Sequence, residues 1–169
     1  MAFGQKSVLC LVASWLFWQP VHADVILLQP GPEGKDAYGY QEGGASLDKN
    51  FGSSTELTAS LAGGWQFESF IEFDLSAIPA GGYVQSAELR LYPNEWRTWD
   101  ITDLVRGWHE GTFANYGLAL KASSGASIFP AFYSSDTGAT DLRPTLVVTH
   151  VPEPGSIFLL LAGAIGLLA

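Results

Sequence analysis

Glu72 and Asp74 stand two apart in the segment QFESFIEFD, residues 66–74. In an extended chain that spacing puts both side chains on one face, with origins about 6.5–7 Å apart. Inverting glycosidases hold their two carboxyl groups roughly 6.5–9.5 Å apart, so polysaccharide cleavage is the first chemistry to weigh. One member of such a pair must be kept protonated by its surroundings, and nothing in the sequence marks either residue that way. A strand that alternates acidic and apolar residues is also the ordinary make-up of a solvated outer face. His109 and His150 fall in different elements with no HxH or HExxH spacing, and no G-x-S-x-G elbow occurs, so zinc and serine-hydrolase chemistry find no support.

Oxygen ligands are better represented. A Ca²⁺ ion needs carboxylates and carbonyls that converge from loops. Asp36 after the first strand, Asp48 and Asn50 in SLDKNFG, and Asp136 and Asp141 in SSDTGATD are the candidate ligands of a structural Ca²⁺. Ordinary turn formation by Asp and Asn is the alternative.

Sugar binding requires an aromatic face for the ring and hydrogen-bonding groups for the hydroxyls. Trp96, between Glu95 and Arg97 in PNEWRT, and Trp65, after Gly63-Gly64, are expected on loops, where each could meet a glycan. Arg97 and Tyr38 complete the candidate binding set, with Tyr40 beside it. Packing at the edge of the fold is the alternative for these aromatics. Trp108 and Trp99 are expected to be buried. Lys35, Arg90, Arg97 and Lys121 are the cations available to an acidic sugar, but residues 24–150 hold 16 acidic side chains against seven Lys or Arg. That balance opposes a polyuronate unless the cations cluster, and it sets nucleic acid aside as a partner.

The elements that must position these groups read as β structure. Short apolar or alternating runs separated by Gly, Pro, Asn, Asp and Ser clusters are the signature of a sandwich or barrel. Strands are predicted at 24–29, 55–61, 66–74, 83–92, 116–122, 127–133 and 144–150, with Phe67, Ile71 and Phe73 facing inward and Glu68, Glu72 and Asp74 outward. In WDITDLVRGWHEG a short helix is predicted, with Thr102 as N-cap, Asp103 in its first turn and Gly111 at its end. Leu104, Val105 and Trp108 then share its buried face.

Both ends differ from this middle. Lys6, the apolar run Ser7 to Trp18 and the Val21-His22-Ala23 site make residues 1–23 a secretory signal peptide, with Asp24 the new N-terminus. Cys10, the single cysteine, lies within the removed part, so neither disulfides nor thiol chemistry are expected of the exported chain. At the other end, Ser156 to Ala169 is 14 apolar or small residues. As a helix it is about 21 Å long, against a bilayer core of roughly 30 Å.

Val151-Pro152-Glu153-Pro154-Gly155 followed by that apolar run resembles the PEP-CTERM sorting signals of Gram-negative bacteria. The resemblance implies export, a transient stay in the inner membrane through the tail, and processing by an exosortase-type enzyme. Delivery to the cell surface or extracellular matrix would follow. The arginines that end the family's pattern are absent here. The segments LQPGPEGKDAY, NFGSST, FIEFDLSAIPAG, SAELRLY, WDITDLVRGW, NYGLALKA and FYSS…LRPTLVVT resemble the DNRLRE-type domain, which is related to carbohydrate-binding modules that include alginate binders. That resemblance implies a jelly-roll sandwich. A stretch that the family often carries between the LRLY strand and the DITDLV segment is here reduced to PNEWRT.

The expected molecule is therefore an all-β, jelly-roll-type antiparallel sandwich over residues 24–150 with one short helix. A signal peptide precedes it, and residues 151–169 form a hydrophobic sorting helix behind its PEP motif. The expected function is non-catalytic binding or organisation of extracellular polysaccharide, as in a biofilm matrix. A matrix or adhesion protein without a specific ligand is the alternative, and a polysaccharide-cleaving enzyme is the third class.

Overall fold

The computed structural model describes residues 22–31, 35–42, 49–62, 64–123 and 131–153. The expected signal peptide as far as Val21, Asp48, Pro154 and the expected C-terminal helix, all named above, lie outside them.

Among the described residues eleven strands and one α-helix follow in order: β1 (Asp24–Leu28), β2 (Asp36–Glu42), β3 (Lys49–Asn50), β4 (Glu56–Thr58), β5 (Ser60–Ala62), β6 (Trp65–Ile71), β7 (Tyr83–Leu91), β8 (Arg97–Asp100), α1 (Thr102–His109), β9 (Leu118–Lys121), β10 (Ala131–Tyr133) and β11 (Thr145–Val151). All strand pairings are antiparallel. One sheet has the order β1-β11-β7-β8, and the other runs β3-β2-β6, with β5 and β9 sharing the far edge of β6. A two-stranded ribbon, β4-β10, accompanies them. The protein is an all-β sandwich with one short helix.

Period-two patterning explains the core. In β7 Val84, Ala87, Leu89 and Leu91 are buried, and in β11 Leu146, Val148 and His150 are. Register sets Leu89 opposite Leu146 and Ala87 opposite Val148. A bulge between Thr149 and His150 then brings His150 opposite Val84. Leu28, Leu57, Ile71, Phe73, Val105, Trp108 and Phe132 close on them from the other elements. Each such side chain contributes roughly 1.5–3 kcal/mol on burial.

Helix α1 rests on β7 through named bonds. Ile101 N–H donates to the Ala87 carbonyl, Ala87 N–H donates to Thr102 Oγ1, and the Arg106 guanidinium reaches the Val84 carbonyl at 3.2 Å. Thr102 is thus the first helical residue and not the N-cap, a place held by Ile101. Its hydroxyl is committed to Asp100 and Ala87, while the Asp100 carboxylate accepts the Thr102 N–H. The C-terminus closes as the sequence requires. Gly111 takes φ +70°, Gly111 N–H donates to the Trp108 carbonyl, and Thr112 N–H donates to that of Gly107, the paired bonds of a Schellman cap.

Several strands depart from the sequence reading. Residues 36–42, which hold the loop candidates Asp36 and Tyr38, form a strand paired to β6, and Arg97 and Thr98 of the PNEWRT connection already belong to β8. The 55–61 segment bends at Ala59, since β4 pairs with the ribbon and β5 with β6. The strand predicted over 66–74 ends at Ile71, so Glu72 and Asp74 lie past it. Strand β11 runs one residue further than predicted, pairing Val151 with Tyr83, so the residue expected to open the sorting motif is the last of the sandwich. Pro152 is half-buried and Glu153 exposed.

Two glycines with nearly equal φ separate conformational from steric cost. A Cβ on Gly111 meets nothing, whereas on Gly117, φ +75°, it falls 2.5 Å from the Ile71 carbonyl oxygen. Gly111→Ala is expected to cost about 1–2 kcal/mol, the left-handed penalty alone. Gly117→Ala should cost clearly more, and urea unfolding of the two variants measures the difference.

Candidate functional site

The candidate site is an open groove of about 1080 Å³ where edges of both sheets meet the ribbon. Its walls come from the 93–95 turn and β8 on one side, from residues 120–123 of β9 and its exit on another, and from β4 and β10. Strand alternation decides which β8 side chains enter it. Trp99 pairs with Leu89 and Arg97 with Leu91, both buried partners, so Trp99 and Arg97 point to the inner side of the sheet. Strand β8 is the last of its sheet and all four of its residues are exposed. The inner side of β8 therefore becomes a groove wall instead of core.

Trp99, expected to be buried, is 40% exposed. Its ring meets Phe132 of β10 edge to face at 6.1 Å, which braces the indole while leaving it open to the groove. Trp96 belongs to the same turn and is 44% exposed. It meets Tyr92 edge-on at 5.3 Å, and Tyr92 stacks on the groove residue Tyr133 at 6.2 Å, giving an aromatic row beside the groove. Arg97 lines the groove and bonds Glu95 at 2.8 Å. Lys121 enters from β9 and bonds Glu68 at 3.0 Å. Asn94, Ser123, Glu56 and Tyr133 add hydroxyl, amide and carboxylate partners.

Trp65 and Tyr38 lie elsewhere. Trp65 begins β6 instead of standing on a loop, and its ring packs on Tyr40 at 5.2 Å. Tyr38 stacks face to face on Phe51 at 4.5 Å, and Tyr40 also meets Phe67 at 5.5 Å. These five rings share the inner side of the β3-β2-β6 sheet through the Tyr40–Phe67 and Glu42–Trp65 register. They make a separate aromatic cluster that the groove does not include.

The candidate metal ligands are only partly gathered. Asp36 is buried, and its carboxylate accepts the Ser135 N–H at 2.7 Å and the Ser135 hydroxyl at 2.6 Å. Asp136 follows directly and acts on Asp36 electrostatically. Asn50 is exposed in β3, and Asp141 is exposed in a 3₁₀ turn over Thr140–Leu142. Among the described residues no three His, Cys, Asp or Glu side chains gather as metal ligands. His109 and His150, from different elements, do meet edge to face at 5.9 Å, a contact no spacing rule could show.

Glu72 and Asp74 are each engaged by a neighbour. Glu72 bonds Lys35 at 3.1 Å. The Ser76 backbone N–H, donating at 2.9 Å, holds the Asp74 carboxyl below its ordinary value, opposite to what a general acid needs. Glu68, expected on a solvated face, is 6% exposed, with Gln66 and Lys121 bonded to its carboxylate. The groove residues missed by sequence reasoning are Trp99 and Tyr133. The one available signal was the Arg97-x-Trp99 alternation, which continues the period of β7 across the turn.

Residues 33–95 match the model of carbohydrate-binding module family 96. The matched stretch runs from the approach to β2 through β7 and the turn that carries Asn94 and Glu95. It supports a domain related to carbohydrate-binding modules, a class of non-catalytic binders. No curated protein matches the chain. Among the described residues no helix is long and apolar enough to cross a membrane.

Two carboxylates should titrate stability in opposite directions. Burial pushes Asp36 above its ordinary 3.8, so its contribution is full below that pH and is lost as pH rises through the folded value. The Thr102 hydroxyl and N–H hold Asp100 below 3.8, so its contribution is present above that pH and lost on further acidification. Urea unfolding across the acid range should show wild type losing stability relative to Asp36→Asn as pH rises from 3.8. Relative to Asp100→Asn it should lose stability as pH falls below 3.8.

Proposed function

We propose that the groove binds polysaccharide and that the protein is a non-catalytic glycan-binding module exported to the cell surface or extracellular matrix. The observation that carries this reading is Trp99. It is a large indole on the inner side of an edge strand, braced by Phe132 and left 40% exposed beside hydrogen-bonding groups. An aromatic face next to hydroxyl, amide and carboxylate partners is what a sugar ring needs. The family match over residues 33–95 supports the same reading. So does an open groove, which admits a chain where a closed pocket would admit only its end. The wider assignment, a DNRLRE-type domain with a PEP-CTERM signal, rests on the sequence resemblances. On that assignment an exosortase-type enzyme is the processing partner.

Affinity electrophoresis in gels cast with a panel of polysaccharides tests the binding. Retardation in at least one gel is expected. Trp99→Ala should weaken it about tenfold, since truncating a central interface aromatic costs more than about 1 kcal/mol. Trp65→Ala should leave it unchanged, and the reverse ranking would move the site to the other aromatic cluster. Intact-mass analysis of the exported protein tests the processing. A chain that begins at Asp24 and ends near Pro154 is expected, and a retained tail would defeat the exosortase assignment.

A further inference from the structure

We infer that the polysaccharide path does not end at the groove but turns over the β9 edge onto the outer face of the β3-β2-β6 sheet, where Phe70 is a second stacking platform. The inference rests on the reading that the groove binds polysaccharide. Phe70 stands in β6 between Ser69 and Ile71, which are 0% and 1% exposed, yet it is itself 43% exposed, so its ring points away from the core. A lone exposed phenylalanine is ordinary. Its surroundings are not. Its register partner is Ala37 on β2 and Ala119 on β9, and Gly39 stands opposite Glu68, the neighbouring outward residue. None of these three carries a side chain long enough to overhang the ring, and sugar stacking needs a clear ring face.

Hydrogen-bonding groups flank the ring along the strand. Glu68 lies on the same face by alternation, and so does Glu72, whose N–H extends the β2 pairing by donating to the Lys35 carbonyl. Their side-chain origins are each about 6.5–7 Å from that of Phe70. Glu72 bonds Lys35 at 3.1 Å with both side chains half-exposed, and such a pair opens at little cost to meet a sugar. On the other flank Lys121 bonds Glu68 at 3.0 Å. Lys121 also lines the groove, so it belongs to both surfaces and marks where one passes into the other. The occupant follows from this chemistry. Charged pairs on both sides of a single ring suit a protein partner poorly, since the centre of a protein interface is depleted of charge. A chain of net −9 is repelled by an anionic bilayer. A polysaccharide leaving the groove past Lys121 needs an aromatic face with donors and acceptors beside it, and meets them at Phe70.

The test is affinity electrophoresis in gels cast with sodium alginate, β-glucan or galactomannan. Nuclear magnetic resonance titrations with the disaccharide and the long chain of whichever polymer retards wild type accompany it. Phe70→Ala should weaken retardation about fivefold, as loss of an aromatic contact does. It should keep the circular dichroism spectrum of wild type, because the ring is not part of the core. Phe70→Trp should preserve retardation, and Leu27→Ala, an exposed apolar position on the other sheet, should leave it unchanged. The disaccharide, too short to leave the groove, should shift the amide signals of Trp99 and Tyr133, and the long chain should add those of Ala37, Phe70 and Ala119. Unchanged retardation of Phe70→Ala, with Trp99→Ala still weakened, overturns the inference and leaves groove binding intact. Self-association in the ultracentrifuge that Phe70→Ala abolishes would give the face to a second copy and overturn it equally. A loss through Phe70→Ala with none through Trp99→Ala, or no retardation in any gel, defeats the groove reading and the continuous path with it.

Discussion

Everything in this sandwich depends on the antiparallel ladder between β7 and β11. Its register places Leu89 against Leu146 and Ala87 against Val148, and a shift of β11 by one residue would turn Leu146 and Val148 outward. The remaining parts take their positions from it. Strand β1 adds to the free side of β11, and β8 adds to the free side of β7. Helix α1 hangs from Ala87 and Val84, the same strand, and delivers Val105 and Trp108 to the core.

The groove is a by-product of where that ladder ends. Strand β8 continues the alternation of β7, so Arg97 and Trp99 point to the inner side like their partners Leu91 and Leu89. Those partners are covered and these residues are not, because β8 is an edge. The periodicity that makes a core in the middle of the sheet makes an aromatic wall at its margin. Phe132, reaching across from β10, holds the indole without covering it.

Electrostatics in this molecule is mostly local pairing. Lys35, Arg90, Arg97 and Lys121 each take a carboxylate partner, on a chain whose acidic side chains outnumber its basic ones by about two to one. Among exposed residues such pairs contribute little to stability. The Lys121–Glu68 pair differs because one member is buried, and burial converts a weak surface contact into a constraint on what the cation can do.

Fold class, most strands, the helix and its Gly111 ending were legible from the sequence, because they rest on local chemistry: alternation, turn residues and a left-handed cap. Strand β2 was not, since its Gly-Tyr-Gln-Glu-Gly surroundings look like a loop and only pairing with β6 extends it. Trp99 was read as buried because inward direction is a local property, whereas burial requires knowing whether another layer lies opposite. Glu68 failed the same way in reverse: an outward residue that proves buried, with Lys121 of β9 on its carboxylate. The tails, the acidic balance and the direction of each strand side chain are thus properties of the sequence by itself. Which directions end in core, which in a groove, and that Lys121 meets Glu68 were decided only by tertiary structure, because those outcomes depend on residues far apart in the chain, as Lys121 and Glu68 are.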